Sequence, residues 1–532
     1  MDDLPQTIEC DVLLIGCGVS GATAALELAK NRELNIVIIT KADDALESNT
    51  YHAQGGIIYR GEGDSPEKLI EDLIRAGDGL NNRRAVEILA NEGPRLVREL
   101  LVKEYGVPFT LNEKNELELT REAAHSTNRI LHADDATGRA IQINLVDALE
   151  AQPNIQILTR HVAVDLLTPS HHSLDRLAIY ESPSCVGAYV FDRDEHVVRT
   201  ILAKATILAS GGLGQVFLHT TNPEGATGDG LAMAYRAGAR IINAEYVQFH
   251  PTTFYHRGRA RFLISEALRG EGARLLNAHM EPFMHHYAPQ WQELAPRDVV
   301  ARSIHQEMLR TSTSHVYLDI ASSMPAEKVA ERFPTIRALC MEYGLDPARE
   351  PIPVVPSAHY FCGGVWVDEY GRTSLERLYA IGEVSCTGVH GANRLGSASM
   401  LEGLVWGVRA AEDITKHLVN GDATWERIPT ENIPPWMKEG IIESADPALV
   451  EHDMTTIKHT MWYYVGLVRT RRRLERALRD LTNLSQDIDA FYRTTQLDTG
   501  LIDLRHAALA ATIVANAAWE NRESRGCHYR EN

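Results

Sequence analysis

The sequence is poor in the features that mark secreted, metal-binding or membrane-spanning proteins. Its cysteines number seven, Cys10, Cys17, Cys185, Cys340, Cys362, Cys386 and Cys527, and they are scattered and never spaced C-x-x-C. An odd, unpaired set supplies neither a disulfide framework nor a zinc site and suits a reducing compartment. No run of about 18 apolar residues occurs, the length a membrane-crossing helix needs. The first residues, Met1 to Gln6, lack the basic and apolar regions of a signal peptide. These absences predict a cytoplasmic protein with no membrane span and no metal. Positive charge is also scarce. Lys and Arg total 53 against 72 Asp and Glu, a formal charge of -19. Such a chain repels polyanions, which argues against a nucleic-acid partner but leaves room for a local basic pocket. No internal repeat or low-complexity tract is present.

What is present is length and apolar patterning. A chain of 532 residues exceeds the size of one hydrophobic core, so two or three domains are expected. Residues 12–15 form a continuous apolar run, 22–30 carry apolar residues at helical spacing, and 36–39 supply a second apolar run. Two buried strands around a helix predict an α/β fold with a parallel, doubly wound sheet. Residues 60–150 read as mostly helical, with amphipathic stretches at 65–76 and 84–102. Strands return at 155–158 and 162–164, and 205–212 reads as a strand ending in glycines, a backbone approach to the same cofactor. Short strands and helices are mixed over 243–353, and the sheet is expected to resume at 363–367 and 378–383. A Pro-bearing link at 428–435 precedes a helical tail with periodic stretches at 457–481 and 501–518. The basic run 469–473 within it reads as a solvated or dimer-facing helix surface. The expected domains are therefore 1–242 and 354–427 for cofactor binding, 243–353 as an inserted α+β cap, and 428–532 as a helical C-terminal domain.

Between the first strand and helix stands Gly16-Cys17-Gly18-Val19-Ser20-Gly21, the G-x-G-x-x-G spacing in the strand–turn–helix context that gives it meaning. Gly16 permits the tight turn, Gly18 lets backbone N–H groups approach a pyrophosphate, and Gly21 lets helix and strand pack closely. The acid expected at the end of the second strand is absent, since that end reads Thr40-Lys41. A lysine cannot accept the ribose hydroxyl protons and would better meet a phosphate or a ring edge, which weakens an NAD reading.

Four further segments complete the set: Tyr51-His52-Ala53-Gln54-Gly55-Gly56-Ile57, Gly228-Asp229-Gly230, Ala380-Ile381-Gly382-Glu383, and the run from His390 through Asn393, Arg394, Ser397 and Ser399. Together they resemble the flavoprotein family of succinate dehydrogenase, fumarate reductase and L-aspartate oxidase, from Gly16 to Gly526. The resemblance implies an FAD domain of Rossmann-like, doubly wound form, interrupted by a capping domain and followed by a helical domain. It places Thr50, Gln54, Gly55, Gly56, Lys41, Ala163, Val164, Asp229 and Glu383 along FAD, with Glu383 on the ribityl hydroxyls. The helix beginning at Ser397, Ser399 and Met400 would aim its N-terminus at the flavin O2 edge, where reduced flavin carries negative charge. In membrane respiratory members a histidine is joined covalently to FAD. Its position here is held by Asn49, so the resemblance implies noncovalent FAD.

A dicarboxylate needs donor-rich sites at both ends, and guanidinium groups suit carboxylates well. By resemblance His250, Ser265, His359 and Arg394 hold the two carboxylates, Arg297 is the proton shuttle assisted by Glu266, and Glu122 recognises a substrate ammonium. The implied reaction is oxidation of L-aspartate to iminoaspartate by hydride transfer to FAD. Dioxygen, giving hydrogen peroxide, or fumarate, giving succinate, would reoxidise the flavin. The resemblance also implies the first step of de novo NAD biosynthesis, feeding quinolinate synthase. Two alternatives stand beside it: a soluble fumarate reductase or succinate dehydrogenase flavoprotein, and a flavin-binding scaffold that docks to an iron-sulfur partner. Cys362, near the flavin, reads as a small buried thiol.

Overall fold

Continuous apolar strands become the middle of a sheet here because both of its faces are covered. The computed structural model describes residues 7–531 except 123, 135, 258, 420–424, 426–431, 437–440 and 442–443, and the side chains of 259–261 also lie outside it. Residues 428–431 of the expected Pro-bearing link are thus outside the described residues. The strand Thr7–Ile15 pairs in parallel with Ile36–Ile39 on one side and with Val197–Leu208 on the other. Ile155–Leu158 extends the parallel set beyond Ile36–Ile39, and Leu378–Ala380 adds in parallel to the end of Val197–Leu208. Gly187–Asp192 and His161–Leu166 complete seven strands as an antiparallel edge. Val12, Leu13 and Leu14 are fully buried between the faces, as a parallel sheet demands.

Helix Val19–Ala29 covers one face and packs against the long helix Ala398–Val419. Glycine makes that approach possible. A Cβ on Gly21 would lie 2.2 Å from the Gly16 carbonyl oxygen, and one on Gly407 would lie 2.9 Å from the Ser20 carbonyl oxygen. Helices Pro66–Ala76 and Arg83–Leu96 lie on the same side and share its core.

A second sheet is antiparallel, with five strands in the order Arg259–Leu263, Val247–His256, Ile352–Phe361, Val316–Asp319 and Arg274–Leu276. Its register slips between Gln248 and Phe249 and again between His250 and Thr253, the kind of irregularity that re-aims side chains next to a functional site. Its core is continuous with the C-terminal helices Pro447–Tyr464, Arg471–Thr494 and Thr499–Glu520. Thr499–Glu520 is long and apolar enough to cross a membrane, but it is a mostly buried core helix.

The structure departs from the sequence expectations in four places. Residues 84–102 are an α-helix, Arg83–Leu96, continued by a π-helical stretch, Val97–Glu104. Pro94 inside that helix has no N–H for the Ala90 carbonyl, and Arg60 donates to that oxygen instead, at 2.7 Å. The periodic stretch 457–481 is two helices, broken where a Cβ on Gly466 would meet the Trp462 carbonyl oxygen at 2.4 Å. Gly364–Trp366 does not rejoin the main sheet but pairs with Ile241–Ile242 and Ser385–Cys386. The basic run at 469–473 is not wholly a solvated face. Arg469 is fully buried, donating to the carbonyls of Val465, Gly466 and Glu245.

Gly21→Ala tests the helix–strand contact. Its Cβ would meet a backbone oxygen that cannot yield, so overpacking should cost about 1–3 kcal/mol. The expected outcome is a lower melting temperature and weaker FAD retention after gel filtration.

Candidate active site

The cofactor groove starts at the fingerprint turn. Gly16 has φ 114°, and a Cβ there would lie 2.2 Å from the Ala209 carbonyl oxygen. Gly18 precedes the helix Val19–Ala29 with no side-chain cap. Val19 N–H donates to the Thr50 hydroxyl at 3.1 Å, while the N–H groups of Ser20 and Gly21 have no acceptor within the helix. Cys17 is buried, which pushes its thiol up to about 12, and its carbonyl accepts from Gln142 at 2.7 Å. The same amide reaches the Ala45 carbonyl at 3.2 Å. Gln142 thus ties the turn to the loop after the second strand.

Lys41 is paired within the fold. Its ammonium lies 2.8 Å from Asp229, 2.9 Å from Asp503 and 2.8 Å from the Thr227 hydroxyl. Burial opposes its charge, but Asp229 and Asp503 outweigh that and raise it above the usual lysine range. Burial likewise opposes the Asp229 carboxylate, and Lys41 and His506 hold it well below its usual value. Asp503 comes from the C-terminal helix Thr499–Glu520 and had no motif to announce it. Ala163 and Val164 lie in His161–Leu166 with buried side chains, and the Val164 carbonyl faces His506 and Arg236, each at 3.1 Å.

Further along, Asn49 donates to Glu383 at 3.1 Å, and Phe361 N–H donates to the other Glu383 oxygen at 2.9 Å. Burial raises the Glu383 carboxyl to about 7. His52 points elsewhere and pairs with Glu47 at 2.8 Å on the surface. Gly56 packs against Ile130, where a Cβ would sit 2.3 Å from a methyl, and Gln54 is half-buried beside it. Ser397 takes φ 58° ahead of the helix Ala398–Val419, whose first turn holds Ser399 and the buried side chain of Met400. The hydroxyls of Ser397 and Ser210 are buried without a hydrogen-bond partner among the described residues. An uncapped helix start, glycine backbone at 16 and 18, and two orphaned hydroxyls make a donor set that fits a dinucleotide. Among the described residues no cluster could hold a metal ion.

The predicted substrate residues come from separate segments and meet beside this groove. His250 and His359 sit on adjacent strands with ring centres 5.4 Å apart. His250 Nδ1 lies 3.2 Å from the Thr252 N–H and 3.1 Å from the Thr252 carbonyl oxygen, so Thr252 holds the ring through this nitrogen and leaves Nε2 facing the site. His359 Nδ1 shares a hydrogen bond with the Thr221 hydroxyl at 2.8 Å. Burial first, and the neighbouring arginines second, push both imidazoles well below their usual values. They are therefore neutral near pH 7.

Arg394 is oriented on three sides. Its Nε donates to Gln248 at 3.1 Å, Nη1 donates to Ser399 at 2.9 Å, and the guanidinium lies 4.7 Å above the Tyr360 ring. Burial and the charge of Arg297 lower it from the usual arginine value. Arg297 opens the helix Arg297–Thr311 and donates to Glu266 at 2.6 Å. Burial opposes its charge, but Glu266 and then Glu122 raise it. Arg269, fully buried, is a further cation 3.4 Å from Glu266. Ser265 accepts from Ala267 N–H at 3.2 Å and caps the short turn between them. Glu122 reaches the same space. Its Oε1 accepts from Gly56 N–H at 3.4 Å, and its Oε2 lies 2.7 Å from where a Gly396 Cβ would stand.

Sequence reasoning passed over Gln142, Gln248, Arg269, Tyr360 and Asp503 as site residues. Gln248, Arg269 and Tyr360 stand within four residues of the predicted residues His250, Ser265 and His359, whereas Gln142 and Asp503 had no sequence signal. Cys362 is buried, and its carbonyl accepts from the Cys386 thiol at 3.7 Å.

Comparison with known proteins agrees with this geometry. Residues 11–400 match the model of the FAD binding domain, and residues 454–532 match that of the fumarate reductase flavoprotein C-terminus. The chain is 43% identical to an L-aspartate oxidase of Pseudomonas aeruginosa over 99% of its own length and 96% of the relative's. It is 42% identical to one of Halobacterium salinarum, covering 98% and 96%. Among solved structures it resembles an E. coli quinol fumarate reductase chain, with TM-score 0.89 at 28% identity over 99% of this chain and 92% of that one. A Mycobacterium smegmatis Sdh1 chain gives TM-score 0.83 at 29% identity, covering 99% and 89%. The chain belongs to the FAD-binding succinate dehydrogenase and fumarate reductase flavoprotein family, on the branch of the L-aspartate oxidases.

Proposed function

We propose that the chain oxidises L-aspartate to iminoaspartate on noncovalent FAD. The observation that carries this reading is the meeting of Glu122, Arg297, His250, His359 and Arg394 in one space. FAD, when bound, supplies the two-electron acceptor. Residues 16–21, Lys41, Thr50, Gln54–Gly56, Asp229, Glu383, Ser397 and Ser399 would hold it, with Ala163, Val164 and Met400 contributing backbone. Asn49, committed to Glu383, offers no nucleophile for a covalent link.

Arg394, His250, His359 and Ser265 take the substrate's carboxylates. Because the imidazoles are neutral, they donate hydrogen bonds without adding charge, and Arg394 supplies the bidentate ionic contact. Glu122 faces the α-ammonium, a group that succinate and fumarate lack. Conversion to the imine removes a hydride from Cα and a proton from nitrogen, and Arg297 is our choice to relay the proton. Its pairing with Glu266 favours the cationic form, so it takes up that proton only by passing one of its own to the Glu266 carboxylate.

We assign residues 243–353 to a cap, 1–242 and 354–427 to the FAD domain, and 428–532 to the helical domain. The strand Ile352–Phe361 runs through the boundary at 353/354 and carries His359 near its end. We further propose that dioxygen or fumarate reoxidises the flavin, giving hydrogen peroxide or succinate. The enzyme would act in the cytoplasm, where its seven buried thiols stay reduced, and would supply imine to quinolinate synthase at the start of NAD synthesis. A soluble fumarate reductase or succinate dehydrogenase flavoprotein subunit is the alternative, and the higher identity to L-aspartate oxidases, 43% against 28%, weighs against it.

Three outcomes test this reading. Anaerobic addition of L-aspartate should bleach the flavin while succinate does not. Glu122→Gln should lower kcat/KM for L-aspartate about 10-fold to 100-fold and spare fumarate reduction, and an unchanged preference would sink the role of Glu122. Arg297→Lys should retain FAD yet lose about 10²-fold or more in turnover; full turnover would remove Arg297 as the proton relay. A separate pH prediction concerns Glu383, whose carboxyl is raised by burial to about 7 in the folded chain. Its protonated form is the one the fold favours, so its stabilisation is full below the unfolded value near 4.5 and is lost as pH rises through about 7. In the FAD-free protein, thermal melts from pH 5 to 8 should show the wild type losing about 3 kcal/mol relative to Glu383→Gln.

A further inference from the structure

Glu122 sits on a turn that its own strands cannot hold. The turn, described at 121–122 and 124–129, hangs from a ladder of two residues on each side, Leu119–Thr120 against Ile130–Leu131. So short a ladder fixes little by itself. Within the turn Ala124 takes φ 66°, a left-handed conformation that a residue with a Cβ adopts only when its surroundings impose it.

The surroundings that impose it are polar and buried. Arg129, at the end of the turn, lies 2.9 Å from Asp64 and 3.0 Å from Asp72, and all three side chains are at most 2% exposed. Ser126 donates to the same Asp72 oxygen twice, through N–H at 2.8 Å and Oγ at 2.7 Å. Asp72 stands on another element, the helix Pro66–Ala76, and also pairs with Arg75 at the surface. On the opposite side the His125 ring donates through Nε2 to the Gly396 carbonyl at 3.1 Å. Because that partner can only accept, the proton lies on Nε2. The His125 contact ties the turn to the segment between Arg394 and the helix Ala398–Val419. His125 N–H donates to the Glu122 carbonyl at 3.2 Å, so the anchored and the functional residues are joined by one hydrogen bond.

We propose that Asp72 is a positioning residue for substrate selection, fixing through Ser126 and Arg129 the turn that presents Glu122 to the pocket. The proposal rests on the reading of Glu122 as the partner of the substrate ammonium. It separates two kinds of binding group. The carboxylate-binding residues His250 and His359 lie on strands, and Arg394 lies on the segment before a long helix, which meets this turn through His125 and not through Asp72 or Ser126. Loosening the turn should therefore damage recognition of the ammonium and leave recognition of the carboxylates intact.

The test uses FAD-loaded Ser126→Ala, Asp72→Asn, Glu122→Gln and the Asp72→Asn/Glu122→Gln double variant. Each is assayed for L-aspartate oxidation and for fumarate reduction by a reduced viologen dye, with FAD content and melting temperature recorded. Ser126→Ala, which keeps the buried ion pairs, is expected to lower kcat/KM for L-aspartate about 3-fold to 10-fold, mainly through KM, and Asp72→Asn by more than about 10-fold. Fumarate reduction should stay within about twofold. In the double variant Asp72→Asn should add nothing to the change in substrate preference caused by Glu122→Gln. Equal losses on both substrates, or additive changes in preference, would reduce Asp72 to a structural role and overturn the proposal. If Glu122→Gln shifts the preference but Ser126→Ala and Asp72→Asn do not, the positioning role fails and the reading of Glu122 survives. If Glu122→Gln shifts nothing, both fall. Should Asp72→Asn fail to fold, Ser126→Ala carries the comparison alone.

Discussion

Helix Val19–Ala29 can lie close to the strand before it and to the helix Ala398–Val419 beside it only because glycine stands at 16, 21, 403 and 407. Cβ atoms at those positions would fall between 2.2 and 3.2 Å from Ala209, Gly16, Val19 and Ser20. The consequence is geometric. Two helices start at the same groove, one just after Gly18 and the other just after Ser397. Their partial positive ends converge where a dinucleotide's negative charge belongs. The second helix also follows directly on Arg394, so the substrate's arginine and the cofactor groove belong to one rigid body.

Charge sets the second constraint. Around the pocket stand Arg269, Arg297 and Arg394, with Glu266 and Glu122 as their carboxylate neighbours. Burial lowers Arg269 and Arg394 from their usual values, while the carboxylates keep Arg297 raised. Such an array is costly to hold without a ligand, since buried charges need partners. A chain with a formal charge of -19 thus encloses a cationic cavity, and an incoming dicarboxylate completes the pairing that the protein leaves unfinished. The neutral imidazoles fit the same logic. Two more cations beside three arginines would raise the repulsion without improving the hydrogen bonds.

Much of the fold was legible because its signals are local. The first strand, turn and helix follow from adjacent residues, and so does the expectation that Lys41 replaces an acid. The partners of Lys41 were hidden, because Asp503 approaches it from far along the chain and carries no motif. Arg469 misled for a related reason. Sequence shows it at the head of a basic run, yet its environment is a set of carbonyls from Val465, Gly466 and Glu245, and backbone oxygens leave no trace in composition. The break between Pro447–Tyr464 and Arg471–Thr494 was likewise masked by apolar residues that keep helical spacing across it. At the site, motif residues such as His250, Arg297 and Arg394 were readable one by one. Their convergence and the buried support beneath Glu122 depend on contacts between distant segments, which periodicity does not encode.

The proposed substrate residues are divided between two parts of the fold. His250 and His359 ride on the five-stranded antiparallel sheet, and Arg297, Ser265 and Glu266 belong to the same region. Arg394 and Glu122 belong to the body that carries the cofactor groove. A dicarboxylate held by both sets must therefore bridge them, and a ligand too short or lacking one carboxylate cannot. Where a bridging ligand excludes water from between them, each ionic contact is strengthened. On the proposed reading, Glu122 then adds the one contact that a plain dicarboxylate does not use. Selectivity for an amino acid over a plain dicarboxylate thus depends on the stiffness of the turn beneath Glu122 as much as on its charge.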